Sequence, residues 1–175
     1  MTVMPISEPD VAHDAMRTVL TFRLGRQTYA IPIEPIVQLI EMVSILPLPQ
    51  MNGGIEGIIN VRGTMVPVVS LRYYVGLEKQ SWGLHTPIIL LRLPGERVVG
   101  LIVDEVLEVV TLREPPAPPS AFLPSGLEVA RLLQGVAYHD GCMTLLLDHE
   151  RLFSAAQEQA LIQAADATAG EMATL

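Results

Sequence analysis

The 175-residue chain has one cysteine, Cys142, so it cannot hold an internal disulfide framework. Aromatic residues make up only 5% of it, and lysine occurs once, at Lys79. The net charge is −8. Such an acidic chain, with few aromatic faces for bases to stack on, is not expected to bind nucleic acid. No apolar run approaches the roughly 18 residues a membrane helix requires. The N-terminus has no basic stretch followed by an apolar one, so no export signal is read there. These absences predict a cytoplasmic protein with no direct membrane insertion. The Gly-x-Ser-x-Gly elbow, the His-Glu-x-x-His helix and the Gly-x-x-x-x-Gly-Lys-Ser/Thr loop are missing, and nothing assembles an acid, a base and a nucleophile. His139, Cys142, Asp148 and His149 fit no recognised zinc spacing, so no metal or other cofactor is expected. A small β-barrel metal protein or enzyme using the His139–His149 region is the alternative from another functional class.

What is present is apolar and regularly interrupted. Half of the residues are hydrophobic and 17% are charged, which is the composition of a folded domain with a real core. The charge is uneven: residues 1–56 carry −3, residues 57–97 carry +3 and residues 98–175 carry −8. The cationic centre suits an acidic protein surface better than a phosphate groove.

Residues 1–16, with two prolines and no periodicity, read as a loose tail. Strands are predicted at Arg17–Leu24, Thr28–Ile31, Pro87–Leu93, Arg97–Val103 and Val106–Leu112. Ile36–Val43 is apolar at nearly every position and reads as a buried strand. Leu71–Val75 is one helical turn ending at Gly76. Residues 114–125 contain five prolines and form a stiff loop. Leu127–Leu133 reads as a short helix, and Val136–Tyr138 with Met143–Leu147 as a hairpin around Asp140-Gly141. Asp148 is a suitable N-cap for a last helix running to about residue 165. Asp104-Glu105 reads as a solvated acidic pair at a strand end.

The organising stretch is Gly57–Leu71, in which two β-branched runs flank Arg62-Gly63. Tight hairpins prefer Asn or Asp before glycine, because those residues tolerate a positive φ. Arginine there departs from turn chemistry, which points to a recognition residue on a rigid hairpin. An internal repeat sharpens the contrast. Gly25 and Gly95 are 70 residues apart, and the same offset aligns Ile31 with Leu101, Glu34 with Asp104 and Ile36 with Val106. An offset of 78 then aligns Gly57 with Gly135, Gly63 with Gly141 and Met65 with Met143. It places Asp140 opposite Arg62. The repeat predicts two similar small barrels in tandem.

Phe22–Ile40, Gly57–Arg72, Arg97–Val106 and Met143–Leu152 together resemble the CheW family, the bacterial chemotaxis coupling proteins. The likeness covers about residues 17–160 and is most specific in the central run. It implies an all-β fold of two tandem five-stranded SH3-like barrels, at about 17–82 and 83–150, with short helices and a C-terminal helix. Residues 161–175 would be the helix end and a frayed tail. The resemblance further implies a non-catalytic adaptor between chemoreceptor tips and the regulatory domain of a CheA-type histidine kinase. It would work in the cytoplasm at membrane receptor arrays, in flagellar taxis or in a pilus-motility or surface-signalling array. By position, Ile36, Gln38, Leu39, Gly57, Asn60, Arg62, Gly63, Gly100 and Val103 carry over as the receptor groove and its rim. Gln38 stands where the family often has Glu. Phe122, in the proline-rich loop, is the candidate kinase anchor.

Overall fold

Ten strands form two five-stranded sheets in the computed structural model, which describes residues 17–49, 54–113, 116–124 and 126–152. The strands are β1 (Arg17–Leu24), β2 (Gln27–Pro32), β3 (Ile36–Glu41), β4 (Ile55–Val61), β5 (Thr64–Ser70), β6 (Pro87–Leu93), β7 (Arg97–Ile102), β8 (Glu105–Leu112), β9 (Leu133–His139) and β10 (Cys142–Leu147). One short helix, α1 (Leu71–Tyr74), follows β5, and single 3₁₀ turns lie at Pro119–Ala121 and Glu128–Leu132. The loose tail expected at residues 1–16 lies outside the described residues. So does the expected C-terminal helix beyond Leu152. The Asp148 carboxylate accepts from the backbone N–H of Glu150 at 3.0 Å in the turn that follows β10.

Sheet I has the order β8-β1-β2-β10-β9, and sheet II the order β3-β6-β7-β5-β4. The two orders are the same once β1–β5 are matched with β6–β10, so the repeat seen in the sequence is present in the topology. The extra residues recur too. The register slips between Ile36 and Gln38 in β3, and at the matching point of the β1–β8 pair. It slips again between Ile55 and Gly57, and at the matching point of the β9–β10 pair. Such bulges turn a strand's side chains to new faces.

The barrels are not consecutive pieces of chain, and this corrects the division into 17–82 and 83–150. Sheet I takes β1 and β2 from the first repeat and β8–β10 from the second; sheet II takes the remainder. Within each sheet a parallel pairing also joins the two repeats, β2 with β10 and β5 with β7. The physical reason is the break at Pro32 and Pro35. Proline cannot continue a central ladder, so the chain leaves sheet I there and starts β3 in the other sheet.

The core follows from this exchange. One cluster joins Leu20, Phe22, Leu24 and Ile31 of sheet I to Ile89, Leu91, Leu101 and Val103 of sheet II and its β7–β8 connection. Each sheet also keeps a cluster on its other face: Val19, Ala30, Val110 and Leu146 in sheet I, and Ile59, Val68, Ile88 and Leu90 in sheet II. With the shared cluster built from both sheets, neither barrel can separate without exposing the largest buried apolar surface.

A polar latch crosses the same junction. Asp104 accepts from the backbone N–H of Gly25 at 2.7 Å and pairs with the Arg72 guanidinium. Arg72 Nε also donates to the Glu78 carbonyl at 2.8 Å. Only 23% of the Asp104 side chain is exposed, so the expected solvated acidic pair is corrected: Asp104 is a tie between the sheets. Glu105 alone fits the expectation, in an exposed ion pair with Arg23. Asp104→Ala would leave the Gly25 N–H and Arg72 without this partner, and should lower stability by about 1–3 kcal/mol in denaturant unfolding. A change of a few tenths would show that water replaces the carboxylate.

Candidate functional site

Strand β3 lies at the edge of sheet II, and its burial alternates along its length. The buried strand expected for Ile36–Val43 is therefore corrected. Ile36 packs against the shared core, while the bulge turns Ile40 toward the cluster special to sheet II. Val37 and Leu39 remain 45% and 44% exposed. An edge strand has only one neighbour to cover it, so an apolar run there leaves an apolar surface.

The β4–β5 hairpin stands at the opposite edge of the sheet. Arg62 has φ 51° and Gly63 φ 86°, so both central residues of the turn are left-handed, as in a type I′ turn. Asp140 and Gly141 adopt the same conformation in the other barrel, at φ 50° and 73°. The Asn60 carboxamide oxygen accepts the Gly63 N–H at 2.7 Å and braces the tip. Arg62 is exposed, without an ion-pair partner among the described residues. A bulky cation thus sits in a backbone conformation it does not favour, held by a braced turn.

The other positions drawn from the resemblance divide into two groups. Gln38, Leu90, Gly100, Val68 and Gly57 lie in one transverse row across sheet II. Three of the nine named positions are thus in register, but only Gln38 reaches the surface. Gly57, Gly100 and Val103 are buried. A Cβ on Gly57 would lie 2.2 Å from the Leu46 carbonyl oxygen, and one on Gly100 would lie 2.7 Å from Val68. These glycines let backbone and side chains pass close by.

A shallow groove of about 360 Å³ opens between the edge strands of the two sheets. Leu39 and Ile40 of β3 line one side, Val106 of β8 the other, and Glu41 and Glu105 mark its rim.

Phe122 lies on sheet I's side of the molecule. It is 44% exposed and meets the 62% exposed Tyr138 edge-to-face, with ring centroids 6.4 Å apart. Its neighbour Leu123, not Phe122, packs against the shared core. His139 and His149 do not converge. Cys142–Leu147 separates the two histidines as an extended strand, which places them on the order of 20 Å apart. Sequence spacing also missed Glu108, which reaches His139 from β8. Burial raises the pKa values of the Tyr29 and Tyr74 hydroxyls, with Tyr73 adding to the effect at Tyr74. Neither phenol is placed to act as an acid or base near neutrality.

The two interlocked barrels thus carry an exposed apolar edge strand and a braced hairpin on sheet II. The CheW-like domain model matches residues 18–157, and the chain belongs to that family. The chain is 30% identical over 143 residues to the chemotaxis protein CheW of Klebsiella aerogenes, covering 82% of this chain and 84% of that protein. It is 26% identical over 144 residues to the chemotaxis protein CheW of Rhizobium meliloti, covering 82% of this chain and 92% of the relative. The crystal structure of the scaffolding protein TtCheW from Thermoanaerobacter tengcongensis matches with a TM-score of 0.68 at 29% identity. That match covers 80% of this chain and 94% of the other. The family places the chain among chemotaxis adaptors. No helix among the described residues is long and apolar enough to cross a membrane.

Proposed function

We propose that the chain couples the cytoplasmic tips of chemoreceptors to the regulatory domain of a CheA-type histidine kinase, without catalysis of its own. It would do so in the cytoplasm, at membrane receptor arrays. The observation that carries this reading is the placement of two exposed surfaces on different sheets over one common core. The β3 edge and the Arg62 hairpin belong to sheet II, whereas Phe122 and Tyr138 lie beside sheet I. A body with two such faces can hold two partners at a fixed spacing.

The receptor tip would lie along the apolar β3 edge and the inter-sheet groove, with Ile36, Gln38 and Leu39 on one side. Asn60, Arg62 and Gly63 would contact it from the hairpin. Gln38 would donate or accept a hydrogen bond there, but supply no charge. The kinase would meet the Phe122–Tyr138 face.

Phe122→Ala tests the second surface. Half-exposed and off the core, Phe122 should cost less than about 1 kcal/mol of stability on truncation. As an aromatic anchor on a stiff loop it should contribute about 2 kcal/mol to kinase binding, near thirty-fold in affinity. A large fall in melting temperature with unchanged kinase affinity would make Phe122 a structural residue. For the function as a whole, tagged protein recovered from its own cells should bring down a histidine kinase and chemoreceptors together. Recovery of neither would overturn the adaptor reading.

A further inference from the structure

Glu108, His139 and Asp140 bring three metal-type donors together at the seam of sheet I. Glu108 comes from β8 and His139 from the end of β9, and these strands are the two outer edges of that sheet. The contact therefore lies where the barrel closes on itself. Asp140 joins from the turn after β9. His139 Nε2 is 3.6 Å from a Glu108 carboxylate oxygen and 3.4 Å from an Asp140 one. All three donor atoms lie within 4.8 Å of one another.

Both separations from His139 exceed an ordinary N–H···O hydrogen bond, which falls at about 2.7–3.2 Å. They match another geometry. Ligands bound tetrahedrally at about 2.0–2.1 Å stand about 3.3 Å apart, the edge of the tetrahedron. An imidazole nitrogen with two carboxylates suits a borderline ion. Magnesium and calcium favour sets made of oxygen alone, with six or more donors. The side chains are 32%, 58% and 85% exposed for His139, Glu108 and Asp140, so an ion can enter and retain water.

We propose that this seam binds one zinc-class divalent ion through Glu108, His139 and Asp140, with water in the fourth position. The ion would clip β8 to the β9–β10 hairpin. The site does not depend on the adaptor reading. It escapes a motif search because Glu108 lies far from His139 in the chain, while the nearer His149 lies at the other end of β10.

The full chain, stripped with a chelator and titrated with zinc chloride by calorimetry, tests the site. One ion should bind per chain with a dissociation constant in the micromolar range, and melting temperature should rise at saturation. His139→Ala and Glu108→Gln should each weaken binding about tenfold or more and abolish the thermal shift. His149→Ala and Cys142→Ser should bind as the parent does, and millimolar magnesium should not displace the ion. Circular dichroism of the metal-free variants checks their folding; if His139→Ala misfolds, the nearly isosteric Glu108→Gln decides. Binding only above millimolar zinc would overturn the proposal, leaving an ordinary cluster of charges. So would full binding by Glu108→Gln, or loss of binding in Cys142→Ser.

Discussion

Gly57→Ala is expected to destabilise the protein by about 3 kcal/mol or more. Gly57 has φ +149°, a conformation that residues with a Cβ rarely adopt. The added carbon would lie 2.2 Å from the Leu46 carbonyl oxygen and 2.7 Å from Ile45. That oxygen accepts the Ile58 N–H at 3.0 Å, and Leu46 N–H donates back to the Ile58 carbonyl at 2.8 Å. Relieving the clash means lifting residues 45–46 away from β4 and breaking both bonds. Backbone strain of about 1–3 kcal/mol adds to about 1 kcal/mol for each lost bond. For a chain of this size the loss should lower the melting temperature by about 6–12 °C. Melting within a degree or two of the parent would show that the crossing segment yields easily. Gly135 stands in the equivalent place. A Cβ added there would lie 2.7 Å from Pro116 and 3.0 Å from the Ala117 carbonyl, so this crossing is a property of both barrels. Loss of receptor coupling in a Gly57 variant would report a damaged barrel, not a lost contact.

Arg62→Glu should abolish receptor coupling while leaving the fold and kinase binding intact. The backbone there is left-handed, yet Glu96 already occupies such a conformation in this chain, at φ 64°, and Asp140 does so in the matching turn. An acidic residue at position 62 is therefore conformationally acceptable, and the exposed change should cost within about 0.5 kcal/mol. Reversing the charge at an interface costs several kcal/mol through lost hydrogen bonds and like-charge repulsion. Arg62→Asn separates the two roles further. Asn-Gly suits a type I′ turn, so this variant should be at least as stable as the parent, yet bind receptor more weakly. Receptor binding by both variants at the parent's affinity would remove Arg62 from the interface. Unfolding of both would return it to a structural role.

The hairpins were legible because each is decided locally. Gly25, Arg62-Gly63, Gly95 and Asp140-Gly141 mark turns between short β-rich runs, and strands formed around all four. The repeat, too, was legible, since two glycine offsets carry it. The exchange of strands between sheets was not. The pairing of β1 with β8 and of β2 with β10 joins residues far apart in sequence, and no local pattern encodes such partners. The edge position of Ile36–Val43 is hidden in the sequence for a related reason. Continuous apolar sequence describes a strand covered on both faces, and it equally describes an edge strand with one face left exposed. Arg62 stood out because it breaks a turn rule, whereas Asp104 and Glu108 break none. Their roles come from what the fold carries to them: Gly25 and Arg72 to the first, His139 to the second.

Sedimentation of receptor-containing membranes with purified kinase tests coupling most directly. Kinase should enter the pellet with receptors only when this protein is added, and its receptor-stimulated activity should rise with it. Arg62→Glu should still bind kinase in solution but leave it in the supernatant. Kinase pelleting equally well without the protein, or with Arg62→Glu in its place, would contradict coupling through the sheet II surface.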